Sequence, residues 1–363
     1  MNNTFYMPTK IILGENCLND NKNLLEPLGN KALLVTGKHS SRINGSLNDV
    51  EKALKDLNIE YYLYNEVEEN PSLDTINKIS TLGKLKNVDF VIGIGGGSPL
   101  DASKAAAVLI NNVDATITDL ANTPSLSAIP VIAIPTTAGT GSETTPYSIV
   151  TDHNLRTKRG ICQKVFPIIS FLDPSYLINI PISIRVNTGI DALSHLIEGY
   201  LSSNANILSD SLAEKGLEYF GDCIYSLQTE KLSLNQCEKL LVASTIAGMV
   251  ISQAGTSLPH GMGYALTYYK NIPHGKANGL LLKEYLNFCN DKIKVNKILS
   301  LLKFNNLDDF GTFLEGLFGE KISLSEKEII EYSDFMANNT SKLKNHPTKV
   351  TVEDIATIYK STL

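Results

Sequence analysis

Val91 to Ile94 runs without a polar side chain into three consecutive glycines, Gly95-Gly96-Gly97, and an Ala-rich segment of high helix propensity, Asp101 to Ala107, follows after Ser98-Pro99-Leu100. A strand that is apolar throughout and turns sharply into a helix belongs to a parallel sheet covered by helices on both faces. Glycines let a ligand approach the backbone closely, and the free N–H groups that open a helix carry partial positive charge, so this turn suits a pyrophosphate. The spacing is neither GxGxxG nor a P-loop, and a plain tight strand-to-helix turn would look the same.

Similar short β-rich runs recur over the first half of the chain: Ala32 to Thr36, Ile59 to Tyr64, Val88 to Ile94, Val131 to Ile134 and Ile168 to Leu172. Their continuous apolarity predicts strands buried on both faces. After Pro181 the pattern changes to helical spacing, as in Ile190, Leu193, Ile197 and Leu201. The expected fold is therefore α/β plus all-α. An N-terminal Rossmann-like nucleotide-binding domain with a parallel sheet occupies 1–178, and a C-terminal helical metal and substrate domain occupies 179–363.

With 363 residues, 43% of them hydrophobic, the chain is too long for one core and too apolar to be mainly disordered. Its 32 Lys and Arg against 38 Asp and Glu give a net charge of −6, which argues against nucleic acid as a partner. The longest apolar stretch, Leu240 to Ser252, is about half of what a bilayer crossing needs and is read as a buried helix, so no membrane partner is expected. The N-terminus has no signal-like core, and five widely spaced cysteines without a CxxC pair indicate neither a disulfide framework nor a Cys-based zinc site. A reducing cytoplasm is the expected location.

A second loop follows the strand Val131 to Ile134. Pro135-Thr136-Thr137-Ala138-Gly139-Thr140-Gly141-Ser142-Glu143 is dense in glycine and hydroxyl donors suited to phosphate, ribose or a carboxamide, although a Thr-rich surface loop would read alike. Two such loops after neighbouring strands favour a nucleotide at the carboxyl edge of the sheet.

Asp191 and His195 lie four apart on a predicted helix, 188–203, and so share a face. Pro-His-Gly recurs at His260 and His274. One carboxylate and three imidazoles would suit a divalent transition metal such as iron or zinc, if they converge. His39, His153 and His346 are read as surface residues of loops.

Over nearly its full length the chain resembles the iron-containing, metal-dependent (type III) alcohol dehydrogenases of the dehydroquinate-synthase-like superfamily. The marks are Gly95-Gly96-Gly97-Ser98 with Asp101 and Lys104, the loop Pro135 to Glu143, Thr188 to His195 with Glu198-Gly199-Tyr200, and Pro273-His274-Gly275. The resemblance implies that Asp191, His195, His260 and His274 are the metal ligands and Fe(2+) the metal, with zinc as an alternative. It places the pyrophosphate on Gly96, Gly97 and Ser98, with Thr136, Thr137, Thr140, Asn70, Thr145, Tyr147 and Lys158 also at the cofactor. It implies hydride transfer between NAD(P)(H) and a small primary alcohol or aldehyde in a cleft between the domains, with the metal acting as Lewis acid, and relatives are commonly homodimers.

Two departures from the family pattern matter. Where many relatives that prefer NAD carry an Asp after the strand Ala32 to Thr36, this chain has Gly37, followed by Lys38, Ser40, Ser41 and Arg42. A preference for NADP(H) is expected, because a carboxylate there would repel the 2′-phosphate. Where relatives often carry a non-ligating histidine four residues after His260, this chain has Tyr264, which is at most a proton donor or a pocket wall. The rival readings are a glycerol or glycerol-1-phosphate dehydrogenase, a dehydroquinate synthase, and a nucleotide- or metal-binding protein without catalysis.

Overall fold

The structure, a computed structural model, describes residues 4–155, 157–319 and 322–363. Eight strands are present among these: β1 (Lys10–Leu13), β2 (Lys31–Gly37), β3 (Glu60–Val67), β4 (Phe90–Gly95), β5 (Val131–Pro135), β6 (Ile149–Asp152), β7 (Thr157–Gly160) and β8 (Ile169–Leu172). Six form one sheet in the order β1-β8-β5-β4-β2-β3, and every pair in it is parallel. The predicted Rossmann-like sheet is thus present.

The central strands β2, β4 and β5 are buried almost throughout, as their continuous apolarity dictates. The run Ile59 to Tyr64 departs from that expectation: β3 is an edge strand, its residues 61–64 only half-buried. Two features lie outside the predicted strands. β1 is four residues long at the opposite edge, and β6 and β7 form a separate antiparallel hairpin whose second strand reads Thr-Lys-Arg-Gly.

Strand β2 steps to β3 on one side, whereas β4 steps to β5 on the other. The loops leaving these two adjacent strands diverge, which creates a crevice at their carboxyl ends, the place where parallel sheets accept nucleotides. The helix Gly97–Asn111 opens directly from β4 and buries Ala102, Ala105, Ala106 and Val108 against Leu33, Val35 and Val91.

By contacts the chain divides into two units. One comprises Met7–Ile180 with Lys231–Leu241; the other comprises the stretch ending at Tyr6, Pro181–Glu230 and Val242–Leu363. The division after Ile180 falls two residues beyond the boundary expected at 178, and Lys231–Leu241 joins the sheet unit, where the sequence had assigned it to 179–363.

Beyond residue 180 the described residues contain helices and no strand. Ile182–Tyr200 starts six residues before the expected 188 because residues 182–187 continue the turn from Pro181. Leu240 to Ser252 lies within the helix Leu234–Ala254, and no single described helix is long and apolar enough to cross a membrane. Gly255, at φ +73°, ends that helix, and Pro259 sits in the first turn of the next, Leu258–Lys270. The two axes meet at 109°. Gly275, in the first turn of His274–Phe288, leaves no room for a Cβ against the carbonyl of Asn187, so that helix and Ile182–Tyr200 approach backbone to backbone. His346 is buried, not a surface residue: it stacks on Phe288 and lies against Tyr285.

Candidate metal and nucleotide sites

The break at Gly255 and the close approach at Gly275 fix where three helices present their histidines. Asp191 and His195 project from one face of Ile182–Tyr200, His260 from the first turn of Leu258–Lys270, and His274 from the first residue of its helix. Ligand atoms of Asp191, His195 and His260 all lie within 4.8 Å of one another, and the three residues are buried. His260 Nε2 is 3.4 Å from Asp191 Oδ1, and His274 Nε2 is 3.7 Å from the same oxygen. The rings of His195 and His260 stack at 4.4 Å, and those of His260 and His274 meet edge to face at 5.2 Å. Asp191, His195 and His260 thus share one group of ligand atoms, and His274 adjoins it through Asp191.

Two further residues complete the cluster. Glu198, one turn beyond Ser194 on the same helix, is fully buried and accepts from Ser194 Oγ at 2.7 Å, from the backbone N–H of Ser257 and His260, and from Nδ1 of His260. This contact turns the ring so that Nε2 of His260 faces the cluster, the arrangement by which a carboxylate supports a histidine that ligates a metal. Asn278, one turn beyond His274, places Nδ2 3.1 Å from Asp191 Oδ1, 3.2 Å from His260 Nε2 and 3.3 Å from His274 Nε2. Its two amide hydrogens face three acceptors, so these acceptors converge more tightly than the amide can satisfy.

The electrostatics follow from this crowding. Burial alone would push the Asp191 carboxyl up, but His195, His274 and His260 outweigh it and hold it well below the usual carboxylate range. Burial drives His195 down to about 4, against the opposing pull of Asp191. Burial also works against a charged His260, but Glu198 and Asp191 raise it to about 9. The donor set fits a divalent transition metal: one ionised carboxylate, imidazoles whose aromatic surroundings replace water, and a buried His195 Nδ1 with no hydrogen-bond partner.

Tyr264 lies one turn after His260, half-buried, with its ring stacked on His274 at 5.7 Å. Lys342 extends over that ring, 5.6 Å from its centroid, and donates to Thr256 Oγ1. Nothing in the sequence pointed to Asn278 or Lys342, since a lone amide or lysine in a helical region carries no motif.

In the sheet unit, the two nucleotide loops expected from the sequence lie side by side. A Cβ placed on Gly97 would sit 2.5 Å from Thr140 Cγ2, and one on Gly96 would sit 3.2 Å from Thr137 Oγ1. Thr136 N–H donates to the Gly95 carbonyl at 2.9 Å, continuing the register of β4 and β5. Ser98 Oγ accepts from the N–H of Asn70, which is itself left-handed at φ +59°. Asn70 Oδ1 accepts from Lys158 Nζ at 2.7 Å, and its carbonyl accepts from Thr151 Oγ1, so the β6–β7 hairpin is tied to the glycine turn.

Lys104 anchors the far side of the Thr loop. Fully buried, its ammonium lies 2.6 Å from the Ser142 carbonyl oxygen, 2.9 Å from that of Thr145 and 2.8 Å from that of Tyr147, with Asp101 at 3.9 Å. Burial lowers it to about 8 against the pull of Asp101 and Glu143. Asp101 in turn accepts from Ser142 Oγ and from the Ile149 N–H. Thr145 is buried, whereas the Tyr147 side chain reaches the surface.

At the end of β2 the structure separates the residues grouped in the sequence. Lys38 and Ser40 are exposed beside Gly37, while Ser41 is buried and accepts from Ser46 Oγ through its carbonyl. Arg42 is held in a two-pronged pair by Glu51 and also donates to Asn48, so its guanidinium is already engaged.

Comparison with known proteins agrees with this geometry in both units. A family model described as iron-containing alcohol dehydrogenase matches residues 8–174, and one described as Fe-containing alcohol dehydrogenase family, C-terminal, matches residues 185–311. Alcohol dehydrogenase 4 of Schizosaccharomyces pombe is 31% identical over 307 residues, covering 83% of this chain and 72% of its own. The NADPH-dependent butanol dehydrogenase of Clostridium saccharobutylicum is 31% identical over 305 residues, covering 82% of this chain and 77% of its own. The crystal structure of an iron-containing alcohol dehydrogenase from Thermotoga maritima superposes with a TM-score of 0.92 at 40% identity, over 99% of each chain. These matches place the chain among the oxidoreductases that use a metal and a nicotinamide dinucleotide. It belongs to the iron-containing alcohol dehydrogenase family.

Proposed function

We propose that this protein reduces small aldehydes to primary alcohols, and catalyses the reverse oxidation, with NADP(H) preferred over NAD(H) and Fe(2+) as the metal. The observation that carries the reading is the convergence of Asp191, His195, His260 and His274, with the tautomer of His260 set by Glu198. When bound there, the divalent ion supplies Lewis-acid polarisation of the substrate oxygen, which lowers the barrier to hydride transfer at the adjacent carbon.

The chain's own residues supply the rest. Asp191 and the three imidazoles would hold the ion. Gly96 and Gly97, backed by Thr137 and Thr140, present backbone to the pyrophosphate, while Asn70, Ser98 and Lys158 line the same turn. Thr136, Thr145 and Tyr147 serve the remainder of the dinucleotide. Tyr264 forms a wall beside His274 and carries a hydroxyl that can donate a proton to the substrate oxygen. The balance is one hydride from NADPH and one proton per aldehyde reduced.

The cofactor preference rests on Gly37 and the exposed Lys38 and Ser40, because no carboxylate follows β2 to repel a 2′-phosphate. With Arg42 paired to Glu51, Lys38 carries the phosphate contact. The relative named for NADPH and butanol points the same way.

The test is kcat/KM for a panel of aldehydes with NADPH and with NADH, on protein purified anaerobically and loaded with ferrous iron. The reading expects turnover with NADPH in clear excess over NADH, and restoration of stripped protein by ferrous iron but not by zinc. A His260→Ala variant should lose metal and turnover together. If it keeps both after chelation and dialysis, the reading is wrong; a large advantage for NADH would overturn the cofactor assignment alone.

A further inference from the structure

Partly buried Lys276 donates to the Phe318 carbonyl, but several lysines of the helical unit meet a carboxylate: Lys270 pairs with Glu328, Lys283 with Asp308 and Lys294 with Asp210. Lys342 does not. It is half-buried, its ammonium donates to the hydroxyl of buried Thr256, it lies over the Tyr264 ring, and no carboxylate pairs with it among the described residues. Its contacts lead straight to the metal cluster, since Tyr264 stacks on His274, and Thr256 adjoins Ser257, whose N–H donates to Glu198.

The charge balance of the cluster leaves this cation uncompensated. Asp191 and Glu198 are the two buried carboxylates there, and both are engaged by imidazoles. A divalent ion offsets both, and the imidazoles that ligate it are neutral, so nothing remains for Lys342. A partly buried ammonium without an anionic partner is costly, and the cost is offset when a ligand brings the anion.

We propose that Lys342 is a specificity residue that recognises a carboxylate on the substrate, so that the preferred aldehydes are ω-oxo acids of a few carbons rather than plain alkanals. The inference rests on the aldehyde reductase reading above and names its substrate class. A neutral chain would leave the ammonium on Thr256 and the Tyr264 face; a carboxylate would form the charge-assisted pair that the fold does not provide.

The experiment compares kcat/KM for 4-oxobutanoate and butanal in the wild type, Lys342→Met and Lys342→Arg, alongside the thermal shift given by butanedioate at low ionic strength. The expected wild-type preference for the oxo acid is tenfold or more and lies mainly in KM. Lys342→Met should lower the oxo acid to alkanal ratio at least tenfold, Lys342→Arg should retain most of it, and the butanedioate shift should vanish in the Met variant. A ratio that Lys342→Met leaves unchanged, or a butanedioate shift that survives in it, overturns the inference while leaving the aldehyde reductase reading intact. If neither aldehyde is reduced, that reading fails, and the butanedioate shift still decides whether Lys342 binds a carboxylate.

Discussion

Glu198 accepts the Nδ1 proton of His260 deep inside the helical unit, and the other nitrogen of the same ring points at Asp191, 3.4 Å away. A ring held at both ends has one orientation, which would suit it to ligate a metal. Glu198→Gln keeps the shape and an acceptor oxygen but removes the charge that makes the imidazole a strong donor. The variant is expected to fold, judged by circular dichroism, and to bind divalent metal 10- to 100-fold more weakly, on the order reported for such support residues. Chelator competition at neutral pH measures it, and an unchanged dissociation constant would show that Glu198 only fills space.

The glycine turn offers a steric test. A methyl group at Gly97 would meet Thr140 Cγ2 at 2.5 Å and Thr140 Oγ1 at 3.0 Å, so Gly97→Ala must push the two loops apart. NADPH affinity, followed by its fluorescence, is expected to fall about tenfold or more, an effect on the order of 1–2 kcal/mol, while metal content stays constant. Thr140→Ser removes the Cγ2 that clashes, so the double variant should regain part of the loss. No recovery in the double variant would mean that the two loops are not coupled through this contact.

How much of this was legible in the sequence follows from what each residue does. Asp191 and His195 stand out because they share a helix face at a spacing of four, and the glycine turn stands out because Gly95 has a left-handed φ of +144° and Gly97 packs against Thr140. Glu198 lies four residues after Ser194 and three after His195, but a single Glu on a helix usually faces water, so its burial is visible only once the partner helices are in place. Asn278 and Lys342 reach Asp191, His260 and Thr256, which lie 18 to 87 positions away in the chain, and no local pattern encodes such distances. His346 was misread for the same reason: its loop context suggests exposure, while Tyr285 and Phe288 from another helix cover it. The β6–β7 hairpin escaped because Lys158 and Arg159 give it no apolar period, yet it carries the lysine that reaches Asn70.

Lys104 braces the loop from Ser142 to Tyr147 through three carbonyl oxygens, and Asp101 holds the same loop from the opposite charge. Lys104→Met removes one member of a buried charged pair and leaves Asp101 uncompensated, at a cost of about 3–5 kcal/mol. Urea denaturation should show this loss, and the KM for NADPH should rise with the loosening of Thr145 and Tyr147. Adding Asp101→Asn removes the stranded charge and should restore part of the stability but not the cofactor affinity. Equal recovery of both would mean that Lys104 matters only for its charge balance, not as a brace.

His346 provides the pH test, outside the cluster of Asp191, His195, His260 and His274. Its ring is buried between aromatic neighbours, Nδ1 has no hydrogen-bond partner, and burial lowers it to about 4, below the ordinary value near 6.5. Between these two values the unfolded chain binds more protons at this position than the folded one, so stability rises with pH across that window. The contribution is complete above about pH 6.5 and is lost as pH falls through about 4, by roughly 3 kcal/mol at most. The charges of Asp354 and Glu198 oppose the shift and are outweighed. His346→Phe keeps a ring to stack on Phe288 but cannot take up a proton. Urea titrations of both proteins from pH 7 to pH 4 should therefore show the variant gaining on the wild type as the acidity increases, because other titrating groups are common to the two and cancel. If the difference in stability between them stays constant over that range, His346 titrates normally and its burial does not bear on acid unfolding.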